Sequence, residues 1–186
     1  SQVGEGFFLF IGVLRYYKGL HILLDAMRDP DVRLVVVGAG PVERESKAHA
    51  GRLNLDNVVF LGHVRDEEKV GLIRLSRAII FPSYLRAEAF GLALVEGAMY
   101  GKPLISTALG TGVNYVNIDG ETGIVVSPGD PDALRNAMER LATDPAAAQR
   151  LGDGARARYE ALLTAERMAQ SYVAIYSGLP CLYKKT

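Results

Sequence analysis

The chain has 186 residues, 49% of them hydrophobic, and 21 Lys+Arg offset 21 Asp+Glu to a formal net charge of zero. That length fits one domain with a real core, and the balance lacks the basic excess that nucleic-acid binding ordinarily shows. The single cysteine, Cys181, excludes an internal disulfide, no Cys/His cluster has zinc-ligand spacing, and no apolar run approaches the ~20 residues needed to span a bilayer.

With no secretory signal at its start, the chain is expected in a reducing cytoplasm. Residues 1–6 read as an interdomain linker or the edge of a cut, residues 7–177 as one domain and residues 178–186 as a tail. Phe7 to Val13 is a continuous apolar run, the mark of a strand buried on both faces. Leu20, Leu23, Leu24 and Met27 then follow helical spacing. Val32 to Val37 is a second strand, stopped by Gly38-Ala39-Gly40-Pro41, and Pro41 suits the first turn of a helix running to about Leu53. A short strand at Val58 to Leu61 precedes a polar helix from about Asp66 to Leu75.

Ala78 to Phe81 is the next strand, ended by Pro82-Ser83. A helix begins near Gly91, with Leu92, Val95 and Met99 on one face. Strands at Pro103 to Ser106 and Gly123 to Val126 follow. Asp130 is a good N-cap and Pro131 a good first residue for a helix carrying Leu134, Ala137, Met138 and Leu141 inward. Two further helices meet near Thr164 and end at about Ser177. This alternation predicts an α/β fold, a Rossmann-like doubly wound parallel sheet with helices on both faces. Ligands of such sheets bind at the carboxyl ends of the strands.

The strongest motif lies there: Glu88-Ala89-Phe90-Gly91-Leu92-Ala93-Leu94-Val95-Glu96, between a strand end and a helix. Glu88 falls in the loop and Glu96 on the second helical turn. Between them the amides of Gly91 and Leu92 face outward at a helix N-terminus, an anion site suited to a diphosphate. Gly91 permits close approach, and the two carboxylates can accept hydrogen bonds from sugar hydroxyls. Taken alone, two glutamates at this spacing are more often solvated helix-end charges. The preceding Pro-Ser, the Phe-Gly pair and the following helix favour a site.

The second motif is Gly12-Val13-Leu14-Arg15-Tyr16-Tyr17-Lys18-Gly19, directly after the first strand. Lys18 can meet phosphates as a point charge and Arg15 as a fork. Alone, Lys18 would read as a surface lysine at a helix start. Gly38 belongs to a Gly-x-Gly turn as consistent with a plain turn as with a ligand loop. Tyr16 and Tyr17 are expected to pack. His63, in Phe60-Leu61-Gly62-His63-Val64, reads as structural rather than as a base.

Together the two motifs resemble the signature of the glycosyltransferase family 4 group, retaining enzymes of the two-domain GT-B fold, over nearly the whole chain from Phe7 to about Ser177. Gly12, Leu14, Lys18 and Gly19 match the family's first element. Val13 replaces the basic residue usual after the glycine, and Arg15 stands two positions later. The resemblance implies the C-terminal, donor-binding half of such an enzyme, with the acceptor held by a missing N-terminal domain. It implies transfer of a sugar from a nucleotide-diphosphate sugar to a glycan or lipid-linked acceptor with retention at the anomeric carbon. It also implies no metal or other cofactor, because basic side chains and helix dipoles neutralise the leaving diphosphate.

On this resemblance Lys18, Arg15 and the amides after Phe90 face the phosphates, Glu88 the sugar ring as the residue closest to the chemistry, and Glu96 the ribose. The backbone at His63 and Val64 faces the nucleobase, and Gly12 and Gly38 border the donor. Asn114 stands in a loop where the family often carries a glutamate. The wording around Lys18 and the Gly-Thr-Gly loop look most like the bacterial branch that builds surface polysaccharides, often from GDP-mannose. That implies work in the cytoplasm, with peripheral association of the whole enzyme at the inner face of the membrane. Alternatives are one half of a GT-B-type nucleotide-sugar epimerase and a non-catalytic nucleotide-sugar-binding module. A nicotinamide oxidoreductase is set aside, because no Gly-x-Gly-x-x-Gly follows the first strand.

Overall fold

A computed structural model describes residues 3–28 and 32–178. Six parallel strands, β1 (Phe8–Ile11), β2 (Leu34–Val37), β3 (Val58–Gly62), β4 (Ala78–Phe81), β5 (Leu104–Thr107) and β6 (Gly123–Val126), form one sheet in the order β3-β2-β1-β4-β5-β6. The order reverses between β1 and β4, so the loops after these two strands flank the switch point at which open parallel sheets bind ligands.

Among the described residues, five helices connect the strands, α1 (Leu20–Ala26), α2 (Glu43–Arg52), α3 (Asp66–Leu75), α4 (Leu92–Met99) and α5 (Gly112–Val116), and three follow β6, α6 (Pro131–Thr143), α7 (Pro145–Arg158) and α8 (Ala165–Gly178). The expected α3, β4 and β6 agree with the observed boundaries. The short helix α5 has no counterpart in the sequence reading, because five residues carry too little periodicity to register. Asp130 caps α6 as expected, its Oδ1 accepting the Ala133 amide at 2.9 Å.

Strand alternation divides the core between the two faces of the sheet. Phe8, Phe10, Leu34, Val36 and Ile80 pack with α1 and α6 on one face. Phe7, Leu9, Val35, Ile79 and Phe81 pack with α3, α4 and α5 on the other. Each fully buried side chain of this size contributes roughly 1.5–3 kcal/mol relative to exposure.

The inward face of α4 is Ala93, Leu94, Gly97 and Ala98. Leu92, on the predicted stripe, is 72% exposed. The helix lies too close to the sheet for large side chains, since a Cβ on Gly97 would sit 2.4 Å from Ile79 Cγ1. Past α7 the chain makes a π-helical turn, Tyr159–Leu163, and breaks at Thr164, where the two terminal helices were expected to meet. Met168, Tyr172, Val173, Ile175 and Tyr176 of α8 are exposed. No helix among the described residues is long and apolar enough to cross a membrane.

At the start, Arg33 holds the Val3 and Glu5 carbonyls and the Gly6 amide donates to Leu75 O at 2.9 Å. Cys181 and, beyond Gly178 at the end of α8, the expected tail lie outside the described residues.

Candidate functional site

The loop after β1 and the loop after β4 are pressed together at one glycine. Gly19, at φ +71°, leaves a gap so narrow that a Cβ there would stand 2.1 Å from the Pro82 carbonyl oxygen. The Tyr84 amide adds a bond to Tyr17 O at 3.1 Å. The 3₁₀ turn Tyr16–Lys18 is thereby held against the end of β4, and Lys18 meets Glu88.

Lys18 and Glu88 form an ion pair with side chains only 14% and 10% exposed. Burial makes each charge depend on the other. Ser83 Oγ donates to Glu88 Oε2 at 3.2 Å, and Ser83 is fixed in turn by Thr107, whose hydroxyl donates to the Ser83 carbonyl. The Lys18 ammonium lies 4.7 Å above the centre of the Phe81 ring, a favourable cation–π position. The pair sits in a cleft of about 410 Å³ bounded by Ile11, Gly12, Phe81, Ala89, Phe90, Gly91, Leu92, Ala93 and Glu96.

Gly91, at φ +85°, caps α4 from the left-handed region, and a Cβ on it would come within 3.2 Å of the Phe81 ring and of Leu94. The N-terminus of α4 therefore opens into the same cleft as Lys18. The loop from Glu88 to Phe90 is steadied from α5. The Gly112 amide donates to Ala89 O at 2.8 Å, and a Cβ on Gly112 would meet that oxygen and the Phe90 ring at 2.6 Å. Asn114 braces the preceding turn, accepting the Gly110 amide at 2.8 Å and donating to Thr107 O at 3.3 Å. Its side chain is occupied with loop structure.

Glu96 is held from the neighbouring helix α3, where Lys69 Nζ donates to its Oε1 at 2.8 Å. This bond raises the Lys69 amine above its ordinary value, against the loss of hydration, which pulls it down. Lys69 was not foreseen. In sequence it pairs locally with Asp66, and that contact also exists at 3.4 Å, so nothing in the local spacing reveals the longer-range partner.

Of the predicted residues, Gly12, Lys18, Glu88, Phe90, Gly91, Leu92 and Glu96 converge on the cleft. Arg15 does not. It lines a separate groove between α1 and α2, because the 3₁₀ turn after it carries Lys18 toward β4. Gly38 has a packing role, since a Cβ on it would lie 1.9 Å from the Gly12 carbonyl oxygen, and its amide donates to Gly62 O at 2.7 Å. His63 and Val64 line a different hollow of about 480 Å³ beside α3, with Leu61, Glu68 and Leu72. Tyr16, expected to pack, stacks on His21 yet remains 61% exposed.

Residues 1–158 match the family described as glycosyl transferases group 1. The chain is 57% identical over 165 residues to D-rhamnosyltransferase WbpZ of Pseudomonas aeruginosa, spanning 89% of this chain and 43% of that protein. It is 46% identical over 179 residues to O-antigen chain mannosyltransferase C of Escherichia coli, spanning 96% and 48%. It therefore spans less than half the length of these curated relatives. In structure it resembles Anabaena Alr3699/HepE in complex with UDP-glucose, with a TM-score of 0.84 and 25% identity over 96% of this chain and 50% of that one. The sheet order, the cleft at the switch point and these matches agree: the chain belongs to the group 1 glycosyl transferases and has the Rossmann-like fold of one half of a GT-B enzyme.

Proposed function

We propose that this chain is the donor-binding half of a hexosyltransferase that moves a sugar from a nucleotide-diphosphate sugar to a glycan or lipid-linked acceptor, with retention at the anomeric carbon. The observation that carries the reading is the convergence of Lys18, Glu88 and the N-terminus of α4 on one cleft at the switch point. A cation and unpaired helix amides favour a diphosphate, and a carboxylate beside them favours the hydroxyls of the attached sugar.

In the transfer, the bond from the anomeric carbon to the diphosphate oxygen breaks and a bond to an acceptor oxygen forms. The acceptor proton passes to the leaving phosphate. Lys18 and the Gly91 and Leu92 amides stabilise the charge that develops on the diphosphate. Glu88 faces the ring carbon where positive charge builds. Donor binding places Lys18 between two anions, so the ammonium is shared between Glu88 and the phosphates. Glu96 accepts the ribose hydroxyls through the oxygen that Lys69 leaves open, and the backbone at His63 and Val64 borders the base.

The acceptor is held by the other half of the protein, which works in the cytoplasm at the inner face of the membrane. The names of the two relatives, a rhamnosyltransferase and a mannosyltransferase, favour a mannosyl or related sugar, and the donor proposed on the sequence resemblance is GDP-mannose. Calorimetric titration of the chain with GDP, UDP, ADP and GDP-mannose tests this reading. Saturable binding, tightest for GDP species and without turnover on this chain alone, is expected. Failure of every nucleoside diphosphate to bind overturns it.

A further inference from the structure

The donor reading leaves unused a groove of about 290 Å³ between α1 and α2. We infer that this groove is a second carbohydrate site, which holds a neutral oligosaccharide segment of the growing glycan beside the donor cleft. The inference rests on the reading that the protein builds a glycan.

Three observations support it. The first is an aromatic platform. Tyr16 and His21 stack with ring centres 5.0 Å apart and planes 5° from parallel, and Tyr84 closes their edges at 5.6 and 5.4 Å. One face of Tyr16 is covered by His21, while the residue is 61% exposed, so its other face is open to solvent. Aromatic faces are electronegative, and the C–H groups on one side of a pyranose, polarised by the ring and hydroxyl oxygens, complement such a face.

The second observation is the polar wall. Arg15 and Arg52 bring donors, Asp25 and Glu45 bring acceptors, and the charges balance. Asp25 accepts from His49 at 3.0 Å, and Arg52 contacts the other ring nitrogen of His49 at 3.1 Å, so part of this set is already oriented. A site for a phosphate would carry a net positive lining. Alternating donors and acceptors around an aromatic face suit a neutral polyol.

The third observation is placement. Arg15 and Tyr16 line the groove and Lys18 lines the donor cleft. Three consecutive residues of one 3₁₀ turn thus connect them. A glycan lying over Tyr16 is on the carboxyl edge of the sheet, the same edge as the sugar to be transferred.

The test is calorimetric and NMR titration of the chain with mannotriose, with and without saturating GDP, alongside Tyr16→Ala and Tyr16→Phe. Expected are weak saturable binding, a shift of the His21 ring resonances and no competition from GDP. Tyr16→Ala should weaken binding about three- to tenfold, the range of an aromatic contact, and Tyr16→Phe should restore it. Because Tyr16 is exposed, neither change threatens the fold. Displacement of mannotriose by GDP, equal binding by Tyr16→Ala, or binding of pyrophosphate in this groove in its place would overturn the inference. The GDP titration in the same series judges the donor reading separately.

Discussion

Glu96 and Lys69 meet across two helices, with Lys69 Nζ 2.8 Å from Glu96 Oε1 and the side chains 36% and 25% exposed. A pair so open to water adds little to stability, about 0–1 kcal/mol, so its consequence is orientation. Lys69→Met is expected to leave the melting temperature nearly unchanged and to weaken GDP binding about three- to tenfold, while Lys69→Arg retains it. Glu96→Gln should weaken GDP and GDP-mannose alike by about 1–3 kcal/mol, the loss of a charge-assisted bond. Calorimetry paired with thermal denaturation separates these outcomes, and a collapse in stability without a change in affinity would contradict them.

Lys18 and Glu88 answer differently, because they are buried. Lys18→Ala leaves an uncompensated carboxylate and should destabilise the fold by about 3 kcal/mol. Glu88→Gln should cost less, since an amide can keep the Ser83 bond, and should leave GDP binding nearly intact. The double change Lys18→Ala with Glu88→Gln should recover much of the stability lost in Lys18→Ala, yet fail to bind diphosphate. Urea denaturation of the three variants measures the coupling. Simple additivity of the single changes would refute it.

Gly19 and Gly62 share a left-handed backbone, at φ +71° and +67°, but only Gly19 faces a neighbour, the Pro82 carbonyl. Gly62→Ala should cost about 1–2 kcal/mol from backbone strain alone. Gly19→Ala adds a displacement of the two loops and should cost at least about 3 kcal/mol. Equal midpoints in denaturant for the two variants would show that the loops part easily.

Burial holds the His21 imidazole below its ordinary value of 6.5, against the opposing pull of Asp25 and Glu45 and with a smaller push from His49. Above pH 6.5 the ring is neutral in both folded and unfolded chains. Below it the unfolded chain takes up a proton that the folded chain resists, so stability falls as pH drops and levels off beneath the folded value. Denaturation midpoints should therefore decline from pH 7.5 to 5.5. His21→Gln should flatten that decline, and an unchanged slope in this variant would reassign it to another group.

Much of the sheet was legible because β1, β2, β4 and β5 are buried on both faces and stand out as short apolar runs between turns. The buried side of α6 was legible for a related reason: Leu134, Ala137, Met138 and Leu141 repeat at helical spacing. The same logic failed on α4, where the buried face is Ala93, Gly97 and Ala98 around Leu94. Tight packing selects small side chains there, and a search for large apolar residues finds the exposed side. In the cleft, Lys18 and Glu88 were found through motifs, but their mutual ion pair was not, because separate roles were assigned to each. Arg15 was misplaced for a geometric reason. It is the extended residue ahead of the 3₁₀ turn, at φ −114° and ψ 153°, and so stays outside the turn that carries Lys18 toward β4, which linear spacing does not convey.

Strand β1 is bonded to β2 on one side and to β4 on the other, and Lys18 and Glu88 lie 70 residues apart on the loops that follow β1 and β4. During synthesis, β1 and β2 can pair as soon as they emerge, but the seam with β4 waits until residues 78–81 are free of the ribosome. Until then the Lys18 ammonium has no carboxylate to meet, and the helix that supplies the amides has not been made. A nascent chain stalled before Phe81 would hold half a sheet and no Lys18–Glu88 pair, so on the proposed function nucleotide binding would report that the two halves of this domain have closed on each other.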